Sequence, residues 1–245
     1  MFDFMQGYGL SIDSLLKPAS SFAGDIDFVI LLVGLCVVVP FILAEVLLIW
    51  FALKYRKKEG QKAMYITGEE DSQMKWVKYP HYVVLALDVV IIVFAVMVWM
   101  NVKQDLPENP DATVRVIGQQ WAWAFVHPGP DGKIDTPDDI RTVNELHVEV
   151  GKTYHFKLES KDVLHSFSVP VFRLKQDTIP GRVITGWFKP EQTGEHDIQC
   201  AEMCGIGHGI MGARIFIEEP EAHAAWISEQ SGGSALALAD KTAEQ

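Results

Sequence analysis

Cysteine is scarce in this chain. Three residues in 245, Cys36, Cys200 and Cys204, cannot build a disulfide framework. Basic residues are outnumbered, with 21 Lys and Arg against 32 Asp and Glu. Most of the imbalance lies beyond residue 102, where 13 basic residues face 22 acidic ones. Such a surface repels phosphates and excludes nucleic acid as a partner. It favours a basic protein, steered in by the field of the acidic half. No internal repeat is visible. There is also no signal-peptide pattern: the first 27 residues hold one basic residue, Lys17, and no short apolar core with a small-residue cleavage site. Apolar residues, by contrast, are plentiful. With 49% hydrophobic and 22% charged residues, the chain is too apolar to be disordered and too charged to be a pure membrane bundle.

Charge is nearly missing from two long runs. Residues 28–53 contain one charged side chain, Glu45, and residues 82–102 contain one, Asp88. A spanning helix needs ~20 apolar residues, so both runs qualify. Pro40 is expected to kink the first helix. The intervening segment, residues 54–81, carries Lys54, Arg56, Lys57, Lys58, Lys62, Lys75 and Lys78. Only Lys17 precedes the first helix, and Lys103 and Arg115 follow the second. The positive-inside rule therefore places the 54–81 loop in the cytoplasm, with segment 1–27 and the acidic C-terminal half outside. Trp50 and Trp99 stand near helix ends, as interfacial aromatics do. Glu45 and Asp88 lie about 14 Å from the basic flanks at ~1.5 Å rise per residue. An ionisable group at that depth is costly and faces a partner or a water path.

From Ala112 the hydrophobic period changes to two. Strands are expected at 113–117, 121–127, 143–150, 152–159, 165–169, 182–188, 195–200 and 210–217, divided by Gly- and Pro-containing turns. Many short strands without helices between them indicate a sandwich or barrel. Residues 221–230 suggest a short helix, and 231–245 a small, polar, mobile tail. His147 and His155 alternate with apolar neighbours and are expected on the polar faces of their strands. His127, His196 and His223 sit among polar or turn residues and offer no ligand pattern.

The chemistry-bearing segment is Cys200-Ala201-Glu202-Met203-Cys204-Gly205-Ile206-Gly207-His208-Gly209-Ile210-Met211. It offers two thiolates, an imidazole and a thioether, soft donors that select copper over hard cations. Cys-x3-Cys alone fits a disulfide or half a zinc site equally well. One Cys, His and a weak Met would make a blue-copper site if a second His joined them, and His165 in Asp162-Val163-Leu164-His165-Ser166-Phe167 is the candidate. Two cysteines exceed the needs of one ion, whereas two thiolates can bridge two. The glycines allow a tight loop around such a cluster.

These residues resemble subunit II of haem–copper cytochrome c oxidases. The likeness extends to the helical hairpin, Gln120-Trp121-Ala122-Trp123 and Lys175-Gln176-Asp177-Thr178-Ile179-Pro180-Gly181-Arg182. It implies an α+β membrane protein, a two-helix hairpin (28–102) followed by an all-β cupredoxin Greek-key barrel (103–220) and a helix and tail (221–245). It further implies a binuclear copper A centre held by His165, Cys200, the Glu202 carbonyl, Cys204, His208 and Met211. The Glu202 carboxylate would help bind Mg or Mn shared with subunit I, which carries the haems and the second copper site. Trp121 would be where the electron arrives from a basic cytochrome c, and Asp162 would lie near the docking face. Further oxidase subunits are implied partners, and a bacterial plasma membrane the location. The family's acid at the mouth of a proton path aligns with Gln73, which cannot titrate; Glu70 or Asp71 at the mouth, with Glu45 or Asp88 deeper, would take its place. Ala122, Ala124 and Phe125 stand where many relatives have tyrosine. The insert 127–140, with Asp131, Asp135, Asp138 and Asp139, is read as a solvated turn. No Cys-x-x-Cys-His haem motif is present, so the donor is expected to be a separate protein.

Overall fold

The computed structural model describes residues 17–62 and 65–243; residues 1–16 of the expected external segment lie outside the described residues. The chain forms two compact units, Asp25–Asn101 and a second made of Val102–Gln245 with the segment before Asp25.

The hairpin unit holds α1 (Ala23–Lys54) and α2 (Asp71–Trp99), the latter continuing as one π turn, Met100–Gln104. Both helices are long and apolar enough to cross a membrane. They touch through Phe28 and Phe94, whose rings meet edge to face at 5.4 Å. Most of their apolar side chains, Leu31, Phe41, Leu85 and Ile92 among them, are exposed, which suits lipid and not water. Glu45 and Asp88 are exposed on this surface too. At the basic end of α1, the Lys54 ammonium sits 4.1 Å from the Trp50 ring centre.

The second helix begins at Asp71 and not at Tyr82. Residues 71–81 lack an apolar run, so hydropathy alone assigns them to the loop. They contain good helix formers, and Asp71 in the first turn complements the helix dipole. Lys78 pairs with Asp71 at 3.1 Å. Pro80 is accommodated within the helix.

The outer unit is a β-sandwich. Its strands are β1 (Ala112–Gln119), β2 (Ala122–His127), β3 (Ile140–Val143), β4 (Glu145–Glu149), β5 (Tyr154–Ser160), β6 (His165–Val169), β7 (Leu174–Thr178), β8 (Ile184–Phe188), β9 (Gly194–Cys200) and β10 (Gly212–Glu218). One five-stranded sheet has the order β3-β2-β1-β5-β8, the other β4-β10-β9-β6-β7. The β1–β5 and β4–β10 pairs are parallel, and the other adjacent pairs antiparallel. Aromatic rings fill the space between the sheets. Phe167 of β6 meets Trp123, Phe125 and Phe156 of the facing sheet, with ring centres 5.6, 6.4 and 5.9 Å away. The chain just before α1 belongs to this unit. The Ala19 amide donates to the Val171 carbonyl and the Glu191 amide to the Ala19 carbonyl, while Phe22 packs on Trp187.

The last element, α3 (Pro220–Ala243), starts with proline where its missing N–H costs nothing. Its backbone runs on past Gln230, so the helix is longer than the short one expected at 221–230. Two strands were not expected, β3 and β7. The larger departure concerns histidine. His127, His147 and His223 are all buried, although alternation and polar neighbours suggested otherwise. The reason is α3: Trp226 stacks flat on His147 at 4.2 Å and covers a strand face that would otherwise meet water.

Candidate metal centre

Strand pairing brings the site together at one end of the sandwich. Cys200 is the last residue of β9 and pairs across the sheet with Phe167, two residues beyond His165, the first of β6. The loop from Ala201 to Met211 then closes on itself. The Cys200 amide donates to the Met211 carbonyl at 3.1 Å, the Ala201 amide to the Ser166 carbonyl at 2.9 Å, and the His208 amide to the Gly205 carbonyl at 3.1 Å.

Within this loop the donor atoms converge. The Cys200 and Cys204 sulfurs are 3.7 Å apart with no disulfide between them. His165 Nδ1 lies 3.9 Å from Cys200 Sγ, and His208 Nδ1 lies 3.7 Å from Cys204 Sγ. The Met211 thioether is 3.7 Å from Cys204 Sγ, and the Glu202 carbonyl oxygen 3.2 Å from Cys200 Sγ. The other four expected ligands thus lie around the Cys200–Cys204 sulfur pair, and His165, Cys200 and Cys204 meet the mutual spacing of a metal-binding group. Burial, and next the adjacent Cys200 thiol, push Cys204 up to about 11. Two neighbouring thiolates become tolerable there when a soft cation binds both sulfurs. The donor chemistry therefore fits copper, in a set that no hard cation would prefer.

A layer of supporting contacts orients these ligands. Asp162 Oδ1 holds His165 Nε2 at 2.8 Å, which leaves Nδ1 aimed at the sulfurs. The other oxygen, Oδ2, accepts the Gln120 amide at 2.6 Å. Burial opposes ionisation of Asp162, yet the Gln120 amide, the His165 ring and the Val163 amide together hold its carboxyl below the ordinary value. Gln120 Nε2 and Trp121 Nε1 both donate to the Cys204 carbonyl, at 2.8 and 3.4 Å. Trp121 occupies the turn between β1 and β2, not a strand, and its indole lies on the glycine loop. A Cβ on Gly207 would fall 2.4 Å from Trp121 Cδ2, so only glycine permits this approach. Trp121 remains 36% exposed, whereas Trp123 is fully buried against His165 and Phe167.

Asp162, expected near a docking face, is in addition the hydrogen-bond partner of a candidate ligand. Nothing in the spacing of Gln120 signals that its side-chain amide reaches the Cys204 carbonyl. Glu45, Glu70, Asp71 and Asp88 belong to the other unit. Glu70 stands just before α2, Asp71 in its first turn, and Glu45 and Asp88 within the two helices.

A β-sandwich with this sulfur-centred loop, joined to two membrane-length helices, defines a membrane-anchored protein with a cupredoxin-like domain. Residues 112–218 match the family model described as cytochrome c oxidase subunit II, periplasmic domain. The alternative cytochrome c oxidase subunit 2 of Bradyrhizobium diazoefficiens is 32% identical over 204 residues, covering 72% of this chain and 70% of the relative. The cytochrome c oxidase subunit 2 of Cereibacter sphaeroides is 28% identical over 223 residues, 79% of this chain and 72% of that one. Among solved structures, the periplasmic domain of subunit II of the Bradyrhizobium japonicum oxidase is 28% identical, with a TM-score of 0.47, over 53% of this chain and 99% of that one. The chain belongs to the cytochrome c oxidase subunit 2 family, an oxidoreductase subunit.

Proposed function

We propose that this subunit takes electrons from a basic cytochrome c at a binuclear copper centre and passes them to the haems of subunit I, where oxygen is reduced to water with proton translocation across a bacterial plasma membrane. The observation that carries the reading is the convergence of two imidazoles, a thioether and a peptide carbonyl on a reduced sulfur pair. His165 and His208 through Nδ1, Cys200 and Cys204 through sulfur, and more weakly Met211 and the Glu202 carbonyl, would hold the copper pair. Bound there, the copper pair supplies a one-electron carrier that accepts and releases charge with little rearrangement.

The chain's own residues prepare that task. Asp162 fixes the tautomer and direction of His165. Gln120 and Trp121 hold the Cys204 carbonyl, and the buried cysteines exclude water from the ligand atoms. Trp121, half-exposed above the loop, is the proposed point of electron arrival. The acidic surface and Asp162 would guide a basic donor toward it. The Glu202 carboxylate is a hard oxygen ligand suited to Mg or Mn at the contact with subunit I. In the hairpin, Glu45, Glu70, Asp71 and Asp88 are proposed for proton supply to subunit I. The basic loop would be cytoplasmic, and the N-terminus and outer domain would lie on the opposite side.

Copper counting tests the ligand set. The full chain in detergent should hold two coppers, and Cys204→Ser should lose the pair, because a hydroxyl is a harder and weaker ligand. A serine variant that retained two coppers with an unchanged spectrum would defeat the assignment.

A further inference from the structure

The candidate ligands of the sulfur centre all come from one sheet and its loops. His165 begins β6, Cys200 ends β9, and Cys204, His208 and Met211 lie in the loop before β10. Gln120 comes from the other sheet, in the turn between β1 and β2. It reaches the centre with both of its nitrogens. The backbone amide donates to Asp162 Oδ2 at 2.6 Å, and Asp162 holds His165 Nε2 through its other oxygen at 2.8 Å. The side-chain amide donates to the Cys204 carbonyl at 2.8 Å. One residue therefore connects the support of an imidazole with the chain at a thiol.

We infer, resting on the copper function proposed above, that the Gln120 side chain is a positioning residue. It locks the cysteine loop onto the turn that already fixes His165, and it raises the readiness of the centre to accept an electron.

The loop needs such a lock. Two of the three residues between Cys204 and His208 are glycine, and Gly205 has φ +123°. A segment of that composition has little stiffness of its own. Its inner bond, from the His208 amide to the Gly205 carbonyl, closes the turn but ties it to nothing else. The Cys204 carbonyl is where the facing sheet takes hold. Gln120 Nε2 is the closer donor there, with Trp121 Nε1 at 3.4 Å. A Cβ on Gly205 would come within 3.0 Å of Gln120 Nε2, so glycine leaves the amide its room. The bond also acts electrically. It points the positive end of an N–H dipole at the peptide group of a candidate sulfur ligand, and hydrogen bonding around the cysteine tunes the potential of a copper site. Withdrawing that dipole makes an added electron less stable and lowers the potential.

Three variants of the full chain in detergent test this. Gln120→Met keeps the side-chain length and the backbone bond to Asp162 but has no donor. Gln120→Glu keeps the shape and replaces the donor by a carboxylate. Gln120→Lys keeps a donor and adds positive charge. In the metal-free chain, Gln120→Met should speed amide exchange over residues 205–208 about tenfold and leave β5 unchanged, as removal of one hydrogen bond from a local opening does. Gln120→Lys should exchange like the parent. After copper loading, the potential should fall in Gln120→Met, fall further in Gln120→Glu and rise in Gln120→Lys, an order that loosened packing would not produce. Exchange in Gln120→Met equal to the parent would overturn the lock, and equal potentials in all four chains would overturn the tuning. A parent that holds no copper would defeat the proposed function instead, with exchange alone then deciding whether Gln120 locks the loop.

Discussion

Histidine is buried at both ends of the outer sandwich, in different company. Strand β2 connects the two, with Trp121 just before its start and His127 at its finish, about 20 Å apart at ~3.3 Å per residue. At the first end, His165 and His208 face sulfur, and a carboxylate acts only behind His165 as an orienting partner. At the second end, two imidazoles face the carboxylate itself and are packed by Trp226 and Phe216. The same side chain thus faces a soft sulfur pair in one place and a hard oxygen partner in the other. The difference lies in what the neighbouring strand ends deliver: two cysteines and a methionine from the end of β9 and the loop after it, or one glutamate from the end of β10.

The largest expected effect comes from a change that damages both ends together. Phe167 is fully buried and packs on three rings of the facing sheet. Phe167→Ala should cost about 3–5 kcal/mol, read as a lowered denaturation midpoint of the near-ultraviolet circular dichroism. A loss under about 1 kcal/mol would mean that the core does not unite the two ends.

Next is a change confined to the sulfur end. In Gly207→Ala the new methyl collides with the Trp121 ring, which must lift from the loop. Overpacking of this kind costs about 1–3 kcal/mol. Electron transfer from cytochrome c should slow, while the hydrogen bonds of His147 and His223 to Glu218 at the far end stay unchanged. Unaltered transfer would remove the indole from the route.

The smallest effect separates the ends by pH. Burial, then the charges of His147 and, less strongly, His223, lower His127 to about 3, against a partial opposing pull from Ile140. The unfolded chain binds a proton on this ring below its ordinary value of 6.5. The folded chain does not until about pH 3. Stability from His127 is therefore fully present above pH 6.5 and falls as pH drops toward 3, by at most about 1.4 kcal/mol per pH unit. Denaturation of the wild type and His127→Gln from pH 4.5 to 7 should show a steeper slope in the wild type. Parallel slopes would mean that His127 is protonated in the folded state.

The sulfur end was legible in the sequence because its ligands are local: Cys200 to Met211 are the end of β9 and the loop after it, and only His165 is distant. The helices were legible because lipid demands an uninterrupted apolar run. The far end was hidden because His127, His147, Glu218 and His223 come from separate elements, and period-two alternation marks His147 as outward. That alternation is real, but α3 covers the outward face, so Leu146, His147 and Val148 are all buried. β7 was missed because Leu-Lys-Gln-Asp-Thr reads as polar loop, although it pairs with β6 residue by residue, from His165–Thr178 to Val169–Leu174. β3 was missed because it is four residues long and follows an acidic turn. Polar residues at the start of α2 concealed its first turns, since hydropathy reports the membrane and not the helix.

The central claim is that the sulfur pair holds two copper ions that share one electron. Electron paramagnetic resonance of the copper-loaded, oxidised full chain, with copper counted on the same sample, tests it directly. The account predicts two coppers per chain and a hyperfine pattern from an unpaired electron spread over two equivalent nuclei. One copper per chain with the four-line pattern of a single nucleus would contradict it.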